Sequence, residues 1–169
     1  MRRVFGTVGT IVAVVLLATV SAAAQRAVFV VRHAERADGG GMGSKGSGDP
    51  ELSDVGKARA ESLASALKDA GIKAIYVTEF KRTQQTAAPL ASALGIQPTV
   101  VPANDTAALL GKLKAGAGNA VVIGHSNTVP EVIKQLGVTE PVKLTDADYD
   151  YLFVVMQGSA PSLLRLHFR

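Results

Sequence analysis

The sequence predicts an α/β fold: a three-layer α/β/α domain with a mostly parallel central sheet and helices on both faces. Three observations predict it. Short apolar, β-rich runs alternate with amphipathic stretches along most of the chain. Three helical stretches end in glycine followed by an apolar β-branched residue, at Gly71-Ile72, Gly95-Ile96 and Gly137-Val138, which is the rhythm of βαβ units. The first run, Ala27–Arg32 (AVFVVR), is apolar almost throughout rather than alternating, as suits a strand covered on both faces.

The elements follow in order. After the first strand, Ala37–Pro50 reads as a Gly/Ser-rich loop containing Gly39-Gly40-Gly41; it lacks the residue order of a phosphate-binding P-loop. Ser53 offers an N-cap for a helix over Asp54–Ala70, with Val55, Ala60, Leu63, Leu67 and Ala70 as its apolar stripe. Ala74–Thr78 is the next strand, and Lys81–Leu94 the next helix, which Pro89 should bend by removing a backbone donor. A short strand over Thr99–Val101 precedes a helix over Thr106–Ala115. Asn119–Ile123 reads as a buried strand, and Thr128–Leu136 as a helix carrying Pro130 in its first turn, where the missing N–H costs little. Tyr151–Met156 and Leu163–Phe168 end the chain as a hairpin-like pair of strands.

Residues 1–24 read as a secretory signal peptide: Arg2-Arg3, an uncharged apolar centre, then Ser21-Ala22-Ala23-Ala24. Cleavage after Ala24 leaves a single domain over 25–169, exported to a periplasmic or extracellular address. The alternative is an uncleaved membrane anchor, since this stretch approaches the ~20 residues that span a bilayer; a membrane is a partner in that case alone. Both arginines leave with the segment, so the net charge of +4 falls to +2. No basic block remains, and nucleic acid is not an expected partner. The absence of cysteine rules out disulfides, thiolate metal sites and a thiol nucleophile.

Chemistry in such a sheet belongs just beyond the C-terminal ends of its strands. Three motifs fall there: Arg32-His33-Ala34-Glu35 after the first strand, Arg82-Thr83-Gln84-Gln85-Thr86-Ala87 opening the second helix, and Gly124-His125-Ser126 after the fourth strand. Each alone is common. The third histidine, His167, lies in an apolar run and reads as structural.

In this order, R-H-x-E, R-T-x-x-T-A and G-H-S, with Leu52-Ser53-x-x-Gly56 before the first helix, resemble the histidine phosphatase superfamily, whose fold is phosphoglycerate mutase-like, and its small, SixA-like branch 1 members in particular. The resemblance runs from about Val28 to Met156. It implies that His33 is a nucleophile taking a phosphoryl group, that Arg32 and Arg82 bind the phosphoryl oxygens, and that His125 donates a hydrogen bond to them, with Ser126 nearby. Planar guanidinium forks match phosphate oxygens and stabilise the charge of an in-line displacement. Neither a metal nor another cofactor is expected. The general acid is assigned to Asp105, which could equally be an N-cap, and Glu35 is a further candidate, or else fixes a neighbouring group. The place six residues beyond the nucleophile, often polar in the family, is Gly39. The expected activity is phosphate monoester hydrolysis through a phosphohistidine, on a phosphorylated small molecule or a phosphoprotein. The alternatives are a non-catalytic phospholigand-binding module and a phosphoglycerate mutase-type phosphotransferase.

Overall fold

A computed structural model describes residues 26–39 and 48–169. The N-terminal segment over 1–24 and most of the glycine-rich loop lie outside the described residues. The elements run β1 (Ala27–Arg32), α1 (Asp54–Leu67), β2 (Ile72–Val77), α2 (Lys81–Leu94), β3 (Thr99–Val100), α3 (Thr106–Ala115), β4 (Asn119–Gly124), α4 (Thr128–Gln135), β5 (Tyr151–Met156) and β6 (Ser162–His167).

The six strands form one mixed sheet in the order β3-β2-β4-β1-β5-β6. β3, β2, β4 and β1 run parallel, while β5 and β6 add an antiparallel edge. Residues of β1 alternate between two cores. Ala27 and Val31 join Leu63, Leu67 and Leu90 beneath α1 and α2. Val28 and Val30 join Leu109, Val129, Val132 and Ile133 beneath α3 and α4. Burial on both faces is the reason the strand reads as a continuous apolar run.

Two details differ from the sequence reading. The stripe of α1 begins at Gly56 rather than Val55, which is exposed. The helix turns that way because Gly56 lies against the backbone of Glu35; a Cβ there would overlap the Glu35 carbonyl oxygen. His167 is exposed and pairs with Asp150 at 3.0 Å. The reason is position: β6 is an edge strand, and Leu164 and Leu166 on it are exposed as well.

Candidate functional site

β1 and β4 are neighbours in register, Arg32 opposite Gly124. The next residue on each strand is a histidine, so the sheet itself brings His33 and His125 together. The His33 amide donates to the Gly124 carbonyl at 2.9 Å, and the two rings sit edge-on with centroids 5.3 Å apart. β2 lies on the far side of β4 and delivers Thr78 to His125. The N-terminus of α2 then brings Arg82 to the same place.

His33 is almost fully buried. Its Nδ1 donates to the carbonyl of Ala34 at 2.8 Å, which leaves the lone pair on Nε2. Burial pushes its pKa down to about 3, with His125, Arg32 and Arg82 adding to the effect. The ring is therefore neutral at pH 7.

His125 is similarly specified. Its Nδ1 lies 3.4 Å from Nη2 of Arg82, an obligate donor, so Nδ1 is the acceptor. Nε2 consequently carries the proton and donates to Thr78 Oγ1 at 3.0 Å. The chain of hydroxyls continues consistently: Thr78 Oγ1 to Thr83 Oγ1 at 2.9 Å, then Thr83 Oγ1 to the Phe80 carbonyl at 2.8 Å. Burial, and then the Arg82 cation, push the His125 pKa down to about 4.

This wiring gives the R-T-x-x-T-A motif a physical meaning. Thr83, fully buried, terminates the His125 relay. Thr86 accepts from the Ala34 amide at 2.9 Å and donates to the Arg82 carbonyl at 2.7 Å. One threonine thus orients the second histidine, and the other pins the backbone beside the first.

The arginines are braced from loops. Arg32 donates from Nη1 to the Thr145 carbonyl at 2.8 Å and from Nη2 to Tyr149 Oη at 3.3 Å, with Asp146 at 3.8 Å. Its guanidinium lies 4.1 Å over the Tyr149 ring. Arg82 lies 4.2 Å over Phe80 and pairs with Asp49 at 3.4 Å. Burial, and then the charge of Arg36, push the Arg82 pKa down from its ordinary value. Arg36 pairs with Asp38.

Arg32, His33, Arg36, Phe80, Arg82 and His125 line a cleft of about 480 Å³, open among the described residues, with Ser126, Asn127, Asn104 and Asp146 on its walls. Arg32, Arg36 and Arg82 each have a buried Nε with no hydrogen-bond partner among the described residues. Unpaired buried donors are costly. Three guanidinium groups lining one cleft with a neutral imidazole suit it to an oxyanion.

The sequence candidates thus divide. Arg32, His33, Arg82, His125 and Ser126 share the cleft. Glu35 faces away from it: its carboxylate takes Arg59 Nε at 2.8 and 2.9 Å and Nη2 at 2.6 Å. Asp105 caps α3, accepting from the Ala108 amide at 2.9 Å, and borders a small apolar pocket next to the cleft. Its neighbour Asn104 lines the cleft itself. Sequence reasoning missed Arg36, Asp49, Asp146, Tyr149 and Thr78. Thr78 could have been found from its place at the end of a strand; the others arrive from loops whose course no local pattern records.

Comparison with known proteins agrees with this geometry. The family model of the histidine phosphatase superfamily (branch 1) matches residues 28–104. The chain is 35% identical over 75 residues to the "Probable phosphoglycerate mutase GpmB" of Yersinia enterocolitica, and 46% identical over 54 residues to PE-PGRS family protein PE_PGRS11 of Mycobacterium tuberculosis. Those stretches span 44% and 31% of this chain, and only 35% and 9% of the relatives' own lengths. Among solved structures, the fold resembles the protein histidine phosphatase SixA complexed with tungstate, at TM-score 0.62 and 20% identity over 83% of this chain and 96% of that one. It also resembles a mycobacterial glucosyl-3-phosphoglycerate phosphatase, at TM-score 0.61 and 16% identity over 85% and 98%. The matched residues carry β1 and α2, and β4 adds His125 beside them in the fold; these likenesses support the histidine phosphatase superfamily, branch 1.

Proposed function

We propose that the protein is an exported phosphohydrolase that cleaves phosphate monoesters through a phosphohistidine on His33, without a metal. One observation carries the reading: a neutral imidazole, its Nδ1 proton fixed on Ala34, faces a cleft lined by the guanidinium groups of Arg32, Arg36 and Arg82. In the first step the lone pair of Nε2 forms a bond to phosphorus while the ester P–O bond breaks, and the leaving oxygen takes a proton. In the second, water attacks phosphorus and gives its proton to the carboxylate that protonated the leaving oxygen, the P–N bond breaks, and inorganic phosphate departs. Arg32 and Arg82 hold the equatorial oxygens through both steps, and preformed donors at such positions lower the barrier without reorganisation.

His125 enters as a neutral acceptor toward Arg82. A phosphoryl dianion placed beside it favours protonation at Nδ1, converting it into a donor to a phosphoryl oxygen. The Thr78–Thr83 relay keeps the Nε2 proton in place as this happens. The acid for the leaving oxygen is assigned to Asp105, on the segment beyond α2. Among the described residues the cleft is open, which suits bulky or varied phosphoesters, phosphoproteins included. Mutase activity is disfavoured, since it requires a bisphosphorylated intermediate to be retained and turned.

A second reading, a phospholigand-binding module without turnover, draws support from the engagement of Asp105 as a helix cap. One experiment separates the two. The chain, with its N-terminal segment removed, is incubated with an aryl phosphate, with and without chelator, beside His33→Ala. Hydrolysis predicts chelator-resistant phosphate release that is abolished by the substitution, and an acid-labile, base-stable phosphoryl adduct on the wild type. Binding without release rejects the enzyme. Export is checked by the N-terminal residue of secreted material, expected to be Gln25.

A further inference from the structure

Beside the cleft, the ends of β2, β3 and β4 border a second space, between the sheet and helices α3 and α4. Val101, Leu109, Val122, Val129 and Val132 form its walls, and all five are buried. Ala103 and Thr128 line both this pocket and the cleft, so the two adjoin there. The polar groups around the pocket are already engaged. Thr78 Oγ1 is bonded to His125, Thr128 Oγ1 accepts from the His125 amide at 2.9 Å, and the Asp105 carboxylate caps α3. A buried water needs two to four polar partners, which such walls do not supply, and they suit hydrocarbon instead.

The pocket is also preformed. The Val101 amide donates to the Val77 carbonyl at 2.8 Å, the Ala103 amide to the Glu79 carboxylate at 2.8 Å, and the Asp105 amide to the Pro102 carbonyl at 2.9 Å. These bonds hold the segment after β3 in place before anything binds, which keeps the ordering cost of a ligand low. The volume is about 30 Å³. At about 10–15 Å³ for each water-sized centre, that is room for about two or three carbon atoms and not for a ring.

Its place in the sheet relates it to the reaction. His33 leaves β1, and the order β3-β2-β4-β1 sets the pocket across β4 from it. In an in-line displacement the leaving oxygen departs opposite the attacking nitrogen. Asp105, to which the leaving-group proton is assigned, lines the same pocket.

We propose that this pocket is a leaving-group subsite, which takes a hydrocarbon arm of two or three carbons next to the ester oxygen while the rest of the alcohol stays in the cleft. The proposal rests on the reading of the cleft as a phosphoryl site. It narrows the substrate class to esters of alcohols with a short apolar arm, and disfavours polyhydroxylated alcohols, whose hydroxyls would lose their water in the pocket.

The test uses alkylphosphonates, in which carbon replaces the ester oxygen and nothing is hydrolysed. Calorimetry measures inorganic phosphate and methyl-, ethyl-, propyl-, butyl- and hexylphosphonate, each read as a ratio to phosphate on the same protein. In the wild type the ratio should rise about fourfold per carbon from methyl to propyl or butyl, and then stop rising. Leu109→Ala, which enlarges the pocket, should move the maximum to a longer chain. Leu109→Phe should remove the dependence on chain length, and Val129→Ile should shorten the best chain by about one carbon. Thermal midpoints without ligand identify any variant that has lost its fold, and Val129→Ile keeps the comparison open if phenylalanine does not fit. A flat series on a wild type that binds phosphate overturns the subsite and leaves the phosphoryl reading standing. So does a rise that continues to hexyl and is unchanged in the folded variants, which would place the chain on the open wall of the cleft. If neither phosphate nor any phosphonate binds, the phosphoryl reading itself fails, and the subsite falls with it.

Discussion

Arg59 on α1 grips the carboxylate of Glu35, two residues beyond His33, through three contacts of 2.6 to 2.9 Å, and reaches the Phe168 carbonyl at 3.3 Å. The pair ties the exit of β1 to α1 and to the C-terminal end of the chain. Glu35 holds the Arg59 pKa above its ordinary value. Glu35→Gln keeps the size and one acceptor but loses the charge-assisted fork. The expected cost is about 1–2 kcal/mol of stability, read from urea unfolding. Turnover should fall far less than in His33→Ala. An activity loss as complete as that of His33→Ala would instead put Glu35 on the reacting atoms.

Gly56 is the other side of the same joint. A Cβ there would overlap the Glu35 carbonyl oxygen and come within 3.0 Å of its nitrogen, and both are backbone atoms with no freedom to retreat. Gly56→Ala would gain about 1 kcal/mol in helix propensity and should still destabilise the protein by about 2 kcal/mol or more through overpacking. A urea midpoint at or above that of the wild type would show that α1 can slide.

The two buried histidines make stability depend on pH in a stated direction. Their pKa values in the fold, about 3 for His33 and about 4 for His125, lie below the ~6.5 of an unfolded chain. As pH falls from about 6.5 toward 4, the unfolded chain takes up protons that the folded one refuses. Stability is therefore fully present above about pH 6.5 and declines below it, by about 1.4 kcal/mol per pH unit for each histidine. Urea unfolding from pH 7.5 to 4.5 measures the slope, and His125→Gln should flatten it. An unchanged slope would mean that burial does not hold the ring neutral.

Two carboxylates compete for the role of acid. Asp105 caps α3, and Asp146 stands in the cleft 3.8 Å from Arg32. If Asp105 supplies the proton, Asp105→Asn should slow an alkyl phosphate at least tenfold more than an aryl phosphate. The aryl leaving group needs no acid. Asp146→Asn is the matched comparison. Equal losses on both substrates in Asp105→Asn would leave it as a cap, worth about 1 kcal/mol to the helix.

The relay behind His125 can be interrupted without touching the cleft. Thr83→Val removes the hydroxyl that receives Thr78 Oγ1 and the Thr78 amide, the latter at 3.1 Å, at nearly constant volume. The buried amide is then unpaired, at a cost of about 1–3 kcal/mol. With Thr78 Oγ1 no longer held in place as the acceptor for His125, kcat should fall more than KM rises. Kinetics on an aryl phosphate decide it, and an unchanged kcat would separate the relay from turnover.

Much of the fold was legible in the chain because the periodicities are strong. α2 and α3 occupy the residues that their patterns predict, bounded at one end by Gly95 and at the other by Asp105. The predicted strands were recovered to within two residues. α1 was misread at its first turn, since an exposed Val55 and a buried Gly56 invert the usual preference. Of the site, the strand-end residues were visible because a parallel sheet places them by rule. Glu35 and Asp105 were visible as acids, but not which way they would turn.

By itself, the sequence determined the layered α/β architecture, the positions of two histidines and two arginines at strand exits, and the serine that caps α1. Local spacing is enough for these, because strand and helix periods act over a few residues. Only the tertiary structure decided the rest. It paired β1 with β4 so that His33 and His125 meet, chose the tautomer of each ring through Ala34 and Arg82, and folded distant loops to bring Asp49, Asp146 and Tyr149 to the arginines. Those contacts join residues up to 117 positions apart. Their energies depend on burial and on the charges nearby, which exist only once the chain has closed on itself.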